Sequence, residues 1–425
     1  MRSNPFARLR KHEALKTKSS IAVVALFLAI LGFGAAARAE TPQAPDDASS
    51  AATAINDFGF RLLRNVVKAG ENENVIVSPL SVSLALAMAY NGAVGDTKTA
   101  IAKTLAIPSG VDINRANREL QRDILKADPA VKMEIANALW PQSGFTINPE
   151  FLKLSRESYD APVESLDFIK GPQQAADIIN AWVDKNTHDK IKQIIKRPDP
   201  ATVLMITDAV YFKGRWSIPF DAKATEPRDF HLQGGGTVKA PMMSQHGEYP
   251  YSENDRFQVI RLSYGNKRFA MYVFLPRKNA GLSDFLASLD QPHWKQWTSQ
   301  FLNRKGLIVL PKLESSWGES LNNALKAMGM AVAFNPLSAD FSRIHPVPPR
   351  LLISDVEHKT YVKIDEEGTE AAAATSIGVV AMAMMKPPPP FEMIVDHPYF
   401  CAIVEQQSGA VMFAGVVNDP TRRGR

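Results

Sequence analysis

The ten residues "EEGTEAAAAT", Glu366–Thr375, are small and weakly committed to any one structure. Alanine is the best helix former and is depleted in strands, so propensity alone predicts helix. Gly368 interrupts that pattern, and the run leads into "SIGVVAMAMM", Ser376–Met385, which reads as strand or loop. Four prolines follow, Pro387–Pro390. On both sides the sequence is strongly strand-like. Leu351–Ile364 reads as strand, and so do Phe391–Glu405 and Ala410–Val417, which turn near Ser408-Gly409. Read in isolation, the run between them is a flexible Ala-rich linker or a short helix.

Moving outward, Ala52–Lys68 has Ile55, Phe58, Leu62, Leu63 and Val66 on one helical face, with Gly70 as the stop. In "NVIVSPLS" the residues Val75–Val77 form a short strand. Ser78 can cap the next helix, and Pro79 suits its first turn. That helix, Leu80–Tyr90, is apolar nearly all round and is predicted to be buried. Gln173–Asn186 and Gly318–Met328 read as helices, and Thr202–Phe212 as a long apolar strand. Val259–Tyr264 and Arg268–Leu275 form a hairpin around Gly265-Asn266. Helices and strands mix without strict alternation, and no internal repeat appears. A single α+β unit with several sheets fits this order.

The first residues are of another kind. Arg2, Arg8, Arg10, Lys11, Lys16 and Lys18 precede the apolar stretch Ile21–Leu31, and Ala37-Arg38-Ala39 has the small-x-small form of a cleavage site. Residues 1–39 are therefore expected to be a signal peptide, and 40–50 a flexible leader. The alternative, an uncleaved anchor, is disfavoured by the shortness of the apolar stretch. Residues 1–39 carry seven Lys/Arg and one acid, so the remaining chain has 42 basic and 43 acidic residues. The basicity belongs to the targeting segment and gives no support to nucleic-acid binding. Cys401 is the only cysteine, so no internal disulfide can form. Its apolar setting, "YFCAIV", points to a buried structural thiol.

Catalytic motifs are missing. The chain has no G-x-S-x-G and no H-E-x-x-H, and its histidines lack metal-ligand spacing. "GAVGDTKT", Gly92–Thr99, lacks the Gly-Lys-Ser/Thr order of a phosphate loop and reads as a helix-ending turn. The chain is therefore not expected to be an enzyme, and neither a cofactor nor a metal is expected.

From Asn74 onward the sequence resembles the serpins, the serine-protease-inhibitor family. The resemblance rests on seven stretches in family order: "NVIVSPLSVSLALAMAYNGAVGDT", "ANALWPQSGFTINPEF", "DAVYFKGRWSIPFD", "LPKLESSWGESLNNALKAMGM", "ADFSRI", "DVEHKTYVKIDEEGTEAAAAT" and "DHPYFCAIVEQQSGAVMFAGVVNDP". It implies a single serpin domain over 51–425, with three β-sheets, eight or nine helices and an exposed reactive loop at about 366–390. It also implies a mechanism. A target protease attacks the loop and forms an acyl-enzyme; the cut loop then inserts as a central strand and carries the protease across the molecule. Some ~15 residues at roughly 3.3 Å each give a travel on the order of 50 Å.

The loop suits that role. A central strand excludes proline, and Glu366–Lys386 contains none. In the family register the hinge is Glu366, Glu367, Gly368, Thr369, Glu370, Ala371, Ala372, Ala373, Ala374 and Thr375. Thr369, Ala371, Ala373, Thr375, Ile377 and Val379 would face the core, all uncharged, while Glu370 falls on the other face. Family spacing sets the reactive bond at Met382-Ala383, with Ala381 or Met384 as the cleaved residue if the register slips. Unbranched Met among apolar neighbours suits an elastase-, chymotrypsin- or subtilisin-like target. Lys386 is a poorer choice because Pro387 follows it.

Matching positions for the polar cluster called the shutter are Ser78, Ser81, Asp208 and His358, and for the breach, Trp216. The family has asparagine where this chain has Asp208. A charged Asp208–His358 pair, and with it pH-sensitive opening, is the expectation; the bland alternative is that Asp208 ends a strand and never meets His358. The expected partner is a serine protease, with a cysteine protease as a variant. The expected protein is a monomer, secreted or periplasmic, without nucleic acid or membrane after signal cleavage. The competing reading is a non-inhibitory serpin that binds a ligand or acts as a chaperone.

Overall fold

The computed structural model describes residues 47–67, 73–278, 280–368 and 389–424. The expected signal peptide, the leader up to residue 46, the hinge residues 369–375 and the bond Met382-Ala383 lie outside the described residues. Among the described residues there are nine α-helices: α1 (Asp47–Val66), α2 (Pro79–Gly92), α3 (Gly95–Thr104), α4 (Ile113–Leu125), α5 (Pro149–Tyr159), α6 (Pro172–Asn186), α7 (Leu282–Ser288), α8 (Gln291–Thr298) and the short α9 (Asn322–Leu325). The strands are β1 (Val75–Val77), β2 (Val131–Pro141), β3 (Leu204–Gly214), β4 (Glu226–His231), β5 (Thr237–Glu253), β6 (Phe257–Tyr264) and β7 (Phe269–Pro276). They continue as β8 (Leu302–Pro311), β9 (Leu313–Ser320), β10 (Asp355–Ile364), β11 (Phe391–Ile394), β12 (Tyr399–Glu405) and β13 (Val411–Val417).

Two hydrogen-bonded sheets result. The larger runs β1-β13-β12-β7-β6-β5-β8-β11, with β4 paired on β5; the smaller runs β2-β3-β10-β9. The resemblance implies three sheets. They appear as two because the 17-residue β5 is continuous, pairing β4 over Thr237–Met242, β8 over Met242–Tyr251 and β6 over Tyr251–Glu253. The smaller sheet is antiparallel except at its centre, where β3 and β10 run parallel with His358 opposite Asp208.

Helix α2 lies between the sheets, touching β13 of one and β2 and β3 of the other. Its all-round apolar sequence is the cause, and Ser78 caps it, accepting from Ser81 N–H. Helix α1 starts at Asp47, earlier than the apolar periodicity suggests, because an acid favours the helix N-terminus and Asp47 also pairs with Arg115. The expected helix Gly318–Met328 begins instead as strand. Leu313, Ser315 and Trp317 alternate into the core and pair with β10 through Ser320, so tertiary pairing overrides local helix propensity. The expected strand Phe391–Glu405 is split into β11 and β12 around Pro398, which has no N–H to give a ladder. Cys401 is buried, and that burial pushes its thiol up to about 12, so it is inert packing.

Strand β10 alternates strictly. Val356, His358, Thr360, Val362 and Ile364 are buried on the face where β10 meets β1 and the Ser78 cap, while Asp355, Glu357, Lys359, Tyr361 and Lys363 are half-buried on the outer face. Outside β2 and β3, helix α6 packs Ala176, Ile179 and Val183 over Ala136, Ala138, Trp140, Met205 and Ala209. Burial, then the neighbouring carboxylates of Asp355 and Glu319, push Glu357 up to about 8 from its ordinary 4.5. Between those values the folded chain holds more protons than the unfolded one, so this group's contribution to stability falls as pH rises from about 4.5 to about 8. Glu357→Gln is expected to raise Tm by a few degrees at pH 8 and to change little at pH 4.5. Thermal melts at the two pH values measure this.

Candidate functional site

The parallel seam between β3 and β10 organises the site. At its middle, Ser78, Ser81, Asp208 and His358 are all fully buried and in contact. Ser78 N–H donates to His358 Nε2 at 3.1 Å, so the ring's proton sits on Nδ1 and is donated to Asp208 Oδ1. A doubly protonated ring would set Nε2–H against Ser78 N–H. The expected charged pair is therefore, in this geometry, a neutral imidazole donating to the aspartyl side chain, and Asp208 sits well within its strand rather than ending it. Thr360 and Trp317 complete the surroundings. Thr360 Oγ1 donates to Ile76 O at 2.7 Å, and the Trp317 ring meets the imidazole edge-on.

A fifth residue, Asn137 on β2, belongs to the cluster. It lies opposite Asp208 across the β2–β3 ladder. Its Nδ2 donates to Ser81 O at 2.9 Å, and its Oδ1 accepts from Ser81 Oγ at 3.0 Å. Ser81 Oγ also lies in hydrogen-bond contact with Asp208 Oδ2. With an ionised aspartate the single hydroxyl proton must serve two acceptors. An amide at 208 removes the conflict, because its NH2 donates to Ser81 Oγ and the hydroxyl proton goes to Asn137. Asp208→Asn is therefore expected to melt at or above the parent, by about 1 kcal/mol. Thermal melts of parent and variant measure this, and a clearly lower melting point in the variant would show that the shared hydroxyl proton is not the limiting conflict.

At the end of the seam the chain leaves β10 and turns at Glu366–Gly368. Trp216, 4% exposed, holds that turn. Its backbone N–H donates to Glu367 O at 3.1 Å, its Nε1 donates to Asp365 O at 2.9 Å, and its ring stacks on Tyr264 at 4.3 Å. Phe220 N–H donates to Glu366 O at 2.8 Å. Glu366 is fixed by its side chain too, accepting from Lys312 Nζ at 2.6 Å and Thr225 Oγ1 at 2.8 Å. Burial alone would raise this carboxyl, but the hydrogen bond from Lys312 and further donors hold it below its ordinary value. Its stabilisation is present above that value and is lost as pH falls through the lowered one. Gly368 has φ +93°, and a Cβ there would lie 2.3 Å from Trp216 N and 2.5 Å from Gly214 O. Only glycine fits this turn.

The described hinge residues are thus held at one end of the seam, Glu366 by Phe220, Lys312 and Thr225 and Glu367 by Trp216, with Gly368 closely packed on Trp216, and Ser78, Ser81, Asp208 and His358 lie together along it. Asn137, Lys312, Thr225 and Tyr264 are additions. A lone asparagine in "EIANALWP" and a lone lysine in "LPKLES", each inside an apolar run, were the signals available. The far end of the loop is fixed as well, since Phe391 opens β11, which pairs in parallel with β8.

Comparison with known proteins agrees with this architecture. The family model described as Serpin (serine protease inhibitor) matches residues 53–420. An uncharacterised serpin-like protein of Thermococcus kodakarensis is 36% identical over 370 residues, covering 86% of this chain and 85% of the relative. The native crystal structure of tengpin, a thermophilic serpin, superposes with a TM-score of 0.79 at 26% identity, covering 89% of this chain and 95% of that one. Human thyroxine-binding globulin superposes with a TM-score of 0.80 at 26% identity, covering 88% of this chain and 100% of that one. This chain belongs to the serpin family, whose members are generally protease inhibitors rather than catalysts.

Proposed function

We propose that this protein inhibits a serine protease as a suicide substrate. The protease cuts the loop at Met382-Ala383, and the acyl-enzyme is trapped when the freed segment enters the seam between β3 and β10. One observation carries the reading. The chain turns at Glu366–Gly368 at the end of the sheet's only parallel pair among the described residues, and the sequence from Thr369 to Lys386 is proline-free with an uncharged inner face. Apolar residues around Met382 suit an elastase-, chymotrypsin- or subtilisin-like target. The signal segment makes the protein secreted or periplasmic, acting as a monomer without a cofactor.

Mixing the mature protein with elastase, chymotrypsin or subtilisin and running a denaturing gel tests this. A covalent band near the summed mass is the expected result, with a new N-terminus between residues 380 and 386. A cut elsewhere would sink the assignment of the bond. The second reading is a ligand-binding serpin, favoured by the equal structural likeness to a globulin solved in complex with thyroxine. Clean cleavage with no covalent band and no gain in thermal stability would select it.

A further inference from the structure

Strands β5 and β6 pair over residues 251–253 and 258–260 and then diverge. Opposite residues 261–264 of β6 the ladder is lost, because β5 goes on with β8 while β6 stays with β7. The far end of β6 meets residues 216–220, the connection that follows β3. Trp216 forms a bridge with Tyr264, and Ser217 N–H donates to Ser263 O at 2.8 Å. The wedge left between β5, β6 and this connection is a cleft of about 530 Å³, also lined by Asn303 of β8. That size suits one small organic molecule.

The wall is largely apolar, with one unmet charge. Phe220, Tyr249 and Leu262 are buried around it, and Ile218, 61% exposed, lines it too. Three of its polar groups are already satisfied. Ser217 Oγ donates to Gly265 O at 2.8 Å, Tyr249 OH to Gln245 Oε1 at 2.6 Å, and Gln245 Nε2 to Pro219 O. Arg261 is the exception. Its Nε is buried without a hydrogen-bond partner, and its Nη1 reaches Gln406 Oε1 only at 3.4 Å. Its other neighbour is the Phe301 ring, whose centre lies 5.8 Å from Cζ. No ion pair among the described residues engages Arg261 or Lys267, the second cation of the cleft. Glu405, beside Gln406, is taken up by Arg268 and by the N–H groups of Gln407 and Ser408. The acid in the wall, Glu248, is exposed and stands opposite Lys305 in the β5–β8 ladder. A second cleft, of about 430 Å³ beside the end of β7 and the start of α7, also carries cations, but their charge is met. There Asp396 faces His397 at 2.6 Å, Lys278 at 3.4 Å and His231 at 3.9 Å, and Arg277 pairs with Glu253 at 2.8 Å.

We propose that the cleft between β5 and β6 binds a small arylalkanoic acid, its carboxylate held by Arg261 and its flat ring lying against Phe220, Tyr249 and Ile218. The guanidinium fork matches a carboxylate, and pairing would give the orphaned Nε–H environment its missing acceptor. A single anionic group suits the site, since Glu248 in the same wall repels a second. The binding rests on neither reading of the reactive loop, so its failure and theirs are separate results.

The test titrates the mature protein with indole-3-acetate by calorimetry, beside tryptamine and 3-methylindole. These two keep the ring and replace the carboxylate by an ammonium or remove it. The acid is expected to bind at least tenfold more tightly than either. Arg261→Gln is expected to weaken the acid at least tenfold. Ile218→Asp sets an acid on the exposed side of the wall, where folding is not at risk, and is expected to weaken it at least fivefold. Lys278→Gln, in the second cleft, is expected to stay within twofold of the parent. Equal binding of acid and amine, or no saturable binding of the acid up to about 5 mM, would overturn the site. So would a loss in Lys278→Gln, or a loss in Arg261→Gln that Ile218→Asp does not share, since either places the acid elsewhere.

Discussion

Cut within residues 380–386, the protein is expected to melt at least about 20 °C above its intact form. The reason lies in the direction of the strands. β3 and β10 are parallel neighbours over Met205–Tyr211 and Asp355–Tyr361. A segment fed back from the turn at Gly368 runs antiparallel to β10, and therefore antiparallel to β3 as well. It replaces one parallel pair with two antiparallel ones, which are somewhat better per residue. Its inner face meets Ile206, Val210 and Phe212 on one side and Val356, Thr360 and Val362 on the other, all buried. Ile377 and Val379 would each contribute about 1.5–3 kcal/mol by burial there. Before the cut this state is out of reach, because Glu366–Gly368 is pinned at Trp216 and Phe391 is held by β8. Calorimetry on intact and cut protein measures the shift. No rise would remove insertion and leave the ligand-binding reading.

Much of this frame was legible in the sequence because local and tertiary preferences agree there. Helix α2 is apolar all round and buried all round, and Ser78 caps it as its position suggests. The hairpin of β6 and β7 turns at Gly265-Asn266, where Gly265 has positive φ. Legibility failed where a distant partner decides. Gly318–Ser320 became strand because β10 offered a ladder, whereas the expected end at Met328 falls just before Gly329, whose φ of +111° is non-helical. The shutter positions came from family resemblance; their chemistry did not. Asn137 enters only through the register that sets it opposite Asp208, and the tautomer of His358 only through Ser78 N–H. Lys312 lies in a short connection between β8 and β9, and nothing local links it to Glu366, 54 residues on. Charge and hydrogen bonding across such separations are set by topology, which single-residue preferences do not encode.

If the protein traps its protease as proposed, Thr369→Arg is expected to turn it from an inhibitor into a substrate. Residue 369 comes directly after the pinned turn and, in the proposed insertion, is the first inner-face side chain to enter the seam. The seam's end there is formed by Phe212, Val362 and Ile364, all buried. Forcing a guanidinium among them carries a desolvation cost of several kcal/mol with no carboxylate facing it. Each 1.4 kcal/mol added to the barrier slows insertion about tenfold, so ~3 kcal/mol already gives about a hundredfold. The proposed cleavage at Met382-Ala383, thirteen residues further along the loop, is expected to keep its rate. Deacylation then outruns insertion, and the covalent band falls at least a hundredfold while cut product accumulates. Glu370→Arg is the matched control. It changes the neighbouring residue on the opposite face, where the charge stays in water, and is expected to keep most of the complex. Equal behaviour of the two variants would mean that the alternation of faces from Thr369 to Val379 does not govern trapping.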